Sequence, residues 1–317
     1  VGRTSRIALA LAALVAAGCE RAASAPPPEA SAPSAAPGAA APAAAGPAAG
    51  GPTIAYERTI AGNQDLYVTG PDGQERRLTD AAGTDMLPRW SRDGRTIYFA
   101  SERTGNWQLY TMPAGGGPAH RLRTNAFREW QVEPSPDGRR IAFLSNQGGP
   151  EQLWVMDLAT GAERMIVAHG RKTIFGNPSW SSDGQRLTYS SNAEVGHQIY
   201  VANADGTGQE RLTGFRRGGC EPRFHPDGRH VLHVSRGHVL GDKSRIVQRD
   251  LASGEETVLV DWPALNYTPT YSPDASEIAF TSNIDGDWAI YRQRISDRKS
   301  WRVTFGPGPA RSPEYKP

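Results

Sequence analysis

Four histidines and a set of evenly spaced polar residues are the places where this chain could do chemistry. His225, His230, His233 and His238 crowd one stretch, and clustered imidazoles can ligate a transition metal. Their placement around Pro226-Asp227-Gly228 argues against a shared centre. His225 and His230 flank that turn, whereas His238 belongs to the loop at the other end of a strand, so no metal site and no cofactor are expected. Asp285 and Asp287 could touch calcium but read as solvated loop acids. The other candidates are Arg89, Glu133, Ser179, Arg223, Thr270 and Glu314, which recur at spacings of 44, 46, 44, 47 and 44 residues. Their alternating signs would let them pair around a common centre.

That spacing belongs to a repeat. Pro88-Arg89-Trp90-Ser91-Arg92-Asp93-Gly94-Arg95 returns in degenerate form at Asp137-Gly138, Asp183-Gly184, Asp227-Gly228 and Asp274-Ala275. Asp-Gly between apolar runs marks a tight turn, because Gly tolerates positive φ and Asp can bond the local backbone. Pro136 and Pro226 preset φ at the first central turn position. Each turn leads into a β-rich run, such as Ile97-Tyr98-Phe99 or Ile278-Ala279-Phe280, and further strands follow at Leu109-Tyr110-Thr111-Met112 and Arg211-Leu212-Thr213. No convincing helical periodicity occurs from residue 53 to 317.

A mid-forties period of short strands predicts an all-β propeller of four-stranded blades. Ile54-Ala55-Tyr56, Asp65-Leu66-Tyr67-Val68 and Arg77-Leu78-Thr79 match the second, third and fourth strands of a blade that lacks its first. The missing strand appears at the far end as Ser312-Pro313-Glu314-Tyr315, matching Thr268-Pro269-Thr270-Tyr271. Inserting it into the N-terminal blade gives six blades and closes the ring, which removes the open sheet edges. The 265 residues after position 52 then provide about 44 per blade.

The repeated Pro-x-Trp-Ser-x-Asp-Gly run and its following strands resemble the TolB-like six-bladed propellers, with PD40 or WD40-like repeats, over about 265 residues. This resemblance implies the six-bladed fold and a place in the bacterial envelope. The name-giving member carries a mixed α/β domain ahead of its propeller and is not usually a lipoprotein. Prolyl oligopeptidase-type enzymes join similar propellers to a hydrolase, but no Gly-x-Ser-x-Gly nucleophile elbow occurs in this sequence. Oligogalacturonate lyases resemble the same repeat class and hold a metal through channel-facing His, which cannot be matched here.

Residues 1–18 read as a signal peptide: Arg3 and Arg6 precede an apolar run from Ile7 to Ala17, too short to span a bilayer. Cys19 after Ala16-Ala17-Gly18 resembles the bacterial lipobox, which implies lipidation of its thiol. Residues 19–52 then form a lipid-anchored, disordered linker of Ala, Pro, Gly and Ser, reaching about 100 Å at about 3.1 Å per residue. Glu20, by resemblance to enterobacterial sorting rules, favours the outer membrane, with the propeller of residues 53–317 facing the periplasm. Cys220 reads as either a small buried apolar residue or an accessible thiol.

Without Arg3 and Arg6 the chain is charge-balanced, 33 basic against 33 acidic residues. It offers no overall field for nucleic acid, and no nucleic-acid partner is expected. Within each blade the Asp-Gly turns lie on one face of the ring, and longer, varied loops lie on the other. Loops on a rigid scaffold are the usual seat of binding, and Arg and aromatics are enriched at interfaces. The expected partner-binding residues are therefore Arg128, Trp130, Arg171, Lys172, Phe175, Arg216, Arg217, Trp262 and Tyr267, with the polar ring lining the channel. A non-enzymatic envelope protein that binds a protein or peptide is the leading expectation. The alternative is a lyase-like or lactonase-like enzyme acting on a carbohydrate or small ligand in the channel.

Overall fold

The computed structural model describes residues 51–167, 175–193, 196–214, 218–236 and 243–317, apart from the Phe175 side chain. All the regular elements among the described residues are strands, and they form six antiparallel sheets of four. Five blades follow the chain in order. Their innermost strands are Asp85–Trp90, Glu129–Pro134, Phe175–Trp180, Gly219–Phe224 and Asn266–Tyr271. In the remaining blade Ala310–Tyr315 pairs with Ile54–Ile60, bringing Ile54 opposite Tyr315 and Ala55 opposite Glu314. The C-terminal strand therefore closes a six-bladed β-propeller.

The Asp-Gly turns are built as the sequence dictates. Gly94 N–H donates to Ser91 O at 2.8 Å, and Gly94 takes the positive φ that the end of this turn requires. The Ser91 hydroxyl donates to Asp93 Oδ1 at 2.6 Å and accepts Thr96 N–H at 2.9 Å. Ser135, Ser181 and Ser272 repeat both bonds in their own turns. Neighbouring turns are also joined. Arg140 donates to Gly184 O at 2.8 Å while lying over the Trp180 ring, and Arg186 donates to Gly228 O at 2.7 Å over Phe224. This face of the ring is scaffold.

The core lies between blades. Alternate residues of the second and third strands, such as Phe99 with Tyr110 and Phe280 with Tyr291, stack within a sheet and pack against the next one. The aromatic ending an inner strand ties that blade to the one before it: Trp90 Nε1 donates to Glu314 O at 3.1 Å and Trp180 Nε1 to Glu133 O at 3.0 Å. Trp90 thus bonds the closing strand just as Trp180 bonds an ordinary neighbour, so the junction matches the rest of the ring.

Candidate functional site

The six inner strands share a bend that the repeat pattern does not announce. Leu87, Gln131, Asn177, Glu221, Thr268 and Ser312, one per blade, all adopt positive φ between 49° and 57°. The pairing with the second strand slips at each of these points, which is how a bulge sharpens the twist of a strand. A left-handed non-Gly residue costs about 1–2 kcal/mol, so the ring needs compensating bonds, and the preceding blade supplies several. Leu87 N–H donates to Glu57 Oε2 at 2.7 Å, Asn177 N–H to Gln131 Oε1 at 2.6 Å, and Thr268 N–H to the Glu221 carboxylate. Ser312 N–H donates to the Thr281 hydroxyl at 3.2 Å. Sequence reasoning missed this ring, although Pro after five of the six residues marked the slot.

Two residues further along lies the expected polar ring, and the structure brings its members together. Arg89 Nε donates to Glu133 Oε2 at 2.8 Å, and its Nη1 lies 3.5 Å from Glu314. Arg223 reaches the same two acids across the centre, at 2.8 Å from Glu133 and 3.7 Å from Glu314. Thr270 donates to Glu314 at 3.5 Å, and the Ser179 hydroxyl accepts Phe224 N–H at 3.1 Å. Two guanidinium groups and two carboxylates from four blades balance in charge and lace the channel.

Burial sets the protonation of the surrounding acids. Desolvation pushes the Glu314 carboxyl up against the pull of Arg89 and Arg223, and it raises Glu57 likewise. Glu221, walled in beside the Thr268 N–H, is pushed up to about 7 by its burial. At the loop-side ends of the inner strands, Asp85 receives two bonds from Arg103 at 3.0 and 2.9 Å, and Glu129 pairs with Arg123 at 2.9 Å. The described channel charges are thus largely committed to one another.

The loop-rich face divides the expected binding residues. Arg128 is partly exposed and pairs with the Glu151 carboxylate. Trp130, Tyr267 and Trp262 are 9 %, 4 % and 6 % exposed, and they belong to the core. Trp262 meets Phe280 and Tyr291 edge-on at 5.0 and 5.2 Å. These three rings fill the seams between blades, which withdraws them from any surface contact and corrects their assignment as partner-binding residues. Arg171, Lys172, Arg216 and Arg217 lie outside the described residues, as do the Phe175 side chain, Cys19 and His238.

The apolar groups that do face solvent here are others. Phe127 and Phe305, each 42 % exposed, sit on connections between blades, and Ile60 ends a strand beside the 305–309 loop, where Thr59 N–H donates to Pro309 O at 3.1 Å. The run Phe127-Arg128-Glu129-Trp130 contained the signal, but its composition could not say that Phe127 points out and Trp130 in.

Known proteins share this architecture. A family model described as the TolB beta propeller domain, PD40, matches residues 34–134 and 132–239. A protein named TolB homolog from Chlorobium chlorochromatii is 33% identical over 172 residues, covering 52% of this chain and 38% of its own length. An uncharacterized protein of Agrobacterium fabrum is 34% identical over 135 residues, 39% of this chain and 46% of that protein. The chain spans less than half the length of these curated relatives. Among solved structures, TolB from Acinetobacter baumannii superposes with a TM-score of 0.74 at 19% identity, over 86% of this chain and 68% of that one. The putative TolB from Agrobacterium tumefaciens does so with 0.64 at 18% identity, over 82% and 91%. At these identities the two structures carry the fold alone.

Proposed function

The chain belongs to the TolB β-propeller (PD40) family, and from that premise we propose that it is a non-enzymatic envelope protein whose propeller binds a protein or peptide on its loop-rich face. In this reading Cys19 carries a lipid anchor, residues 20–52 act as a tether, and the propeller faces the periplasm from the outer membrane. The observation that carries the binding face is the exposure of Phe127 and Phe305 on inter-blade loops, with Ile60 and Arg128 on the same side. Aromatic and Arg side chains are the usual anchors of interfaces. The opposite face spends its Arg and aromatic groups on turn-to-turn contacts. The channel acids and guanidinium groups bond one another, which favours the face over the channel as the place of contact.

A photo-crosslinking amino acid placed at Phe127 or Phe305 in cells tests this reading. A discrete protein adduct from both positions, and none from Asp137 or Asp274 on the turn face, is the expected result. Equal labelling from both faces, or no adduct from the loop positions, would refute it.

A further inference from the structure

The fourth Asp-Gly turn departs from its sisters at two positions at once, and both departures introduce imidazole. Where the other turns carry Ser91, Ser135, Ser181 and Ser272, this one carries His225. Where they carry Thr96, Arg140, Arg186 and Glu277, it carries His230. The hairpin sets the two opposite each other, with His225 N–H donating to His230 O at 2.9 Å. His225 Nδ1 lies 3.0 Å from Asp227 Oδ1, and His230 Nδ1 lies 2.6 Å from Asp227 Oδ2. Two ring nitrogens therefore bracket one carboxylate, and the ligand atoms of all three residues lie within 4.8 Å of one another.

We propose that His225, Asp227 and His230 form a binding site for a divalent transition-metal ion of the zinc class. Two imidazoles and one carboxylate are the three-ligand set that Zn2+ accepts while leaving a fourth position for water, and imidazole also suits Cu2+ and Ni2+. The residues around the set hold it in place. Tyr271 meets the His225 ring edge-on at 4.6 Å. The second nitrogen of His230 faces Asp250 Oδ2 at 3.6 Å, and Asp250 is itself fixed by Arg229 at 2.5 Å. A carboxylate behind a ligating His is the usual means of orienting the ring. The three ligands are partly exposed, so an ion can enter from solvent.

In its Nδ1–H tautomer the neutral His230 ring donates to Asp227 Oδ2 at 2.6 Å. Metal entry at Nδ1 moves that proton to Nε2 of the same ring, where it faces Asp250, and opens the contact to the ligand separation of a tetrahedral ion, about 3.3–3.6 Å for bonds of about 2.0–2.2 Å. His225 exchanges the Asp227 N–H that its Nδ1 now accepts at 3.0 Å for the ion. In the proposed site His225 and His230 depart from the expectation that the four histidines share no centre; His238 lies outside the described residues.

The repeat supplies its own controls, because His225→Ser and His230→Thr install residues that a sister turn already carries. Equilibrium dialysis of the untagged full chain against ZnCl2 should retain one Zn2+ per chain with micromolar affinity. Each substitution should weaken retention roughly tenfold or more. Added Zn2+ should raise the Tm of the parent protein and leave that of the double variant unmoved, while the metal-free Tm values stay close. A parent chain that retains no Zn2+ overturns the proposal, as does a folded double variant that retains it equally well.

Discussion

Arg223 bonds Glu133 at 2.8 Å across the centre of the ring, although 90 residues and an intervening blade separate them. The same carboxylate oxygen also accepts from Arg89, and Glu314 faces both guanidinium groups. A contact between blades that do not touch along their edges makes the centre a brace.

Removing one partner leaves an uncompensated buried charge, which typically costs about 3–5 kcal/mol. Arg223→Ala should therefore destabilise the propeller by about 3 kcal/mol in denaturant unfolding. The double replacement of Arg223 by Met and Glu133 by Leu should recover much of that loss. A single variant as stable as the parent protein would show that the brace contributes nothing.

Glu221 gives stability a pH dependence of unusual sign. Its pKa is raised by burial to about 7 from an ordinary 4.5, so between those values the folded state binds more protons than the unfolded one. Stability from this group is present below about pH 4.5 and is lost as pH rises to 7, by up to about 3 kcal/mol. Glu57, Glu129 and Glu314 are shifted in the same direction by burial. Glu221→Gln should flatten the fall in unfolding midpoint between pH 5 and 7.5, and an unchanged slope would exclude Glu221 as its source.

Trp262 separates packing from recognition. Its truncation to Ala should cost about 3–5 kcal/mol, since the ring is wedged on Phe280 and Tyr291. Phe127→Ala should change stability by less than about 0.5 kcal/mol while lowering partner crosslinking. Thermal denaturation of the two variants side by side reads both outcomes, and equal losses would contradict the division.

For the proposed anchor the measurement is fractionation. Cys19→Ala should move the protein from membranes to the soluble periplasmic fraction. Continued membrane association of the variant would refute lipidation at that residue.

Much of this was legible in the sequence because repetition made it so. Pro313-Glu314-Tyr315 announced the ring closure by matching Pro269-Thr270-Tyr271, and the slot before each strand-ending aromatic announced the polar ring. What could not be read was which members of that ring meet, since the curvature of six blades decides that Arg223 reaches Glu133. Facing was equally hidden, for Phe127 and Trp130 are close in sequence and similar in kind, and only the bend at Gln131 and the packing of the next blade separate their roles. The sequence puts His225 and His230 on either side of one turn, but only the folded hairpin sets both rings against the Asp227 carboxylate.

The blade that joins the two ends of the ring also imposes a timetable. Ser312 donates to Glu57 at 3.1 Å from 255 residues away, so the blade that opens the propeller is the last of its blades to be completed. Ile54–Ile60 keeps an open edge until Ala310–Tyr315 arrives, and contacts of such long range are slow to form. Through that interval the nascent protein carries an unpaired strand edge able to recruit another chain, so its yield should depend on holding that edge apart until synthesis has passed Tyr315.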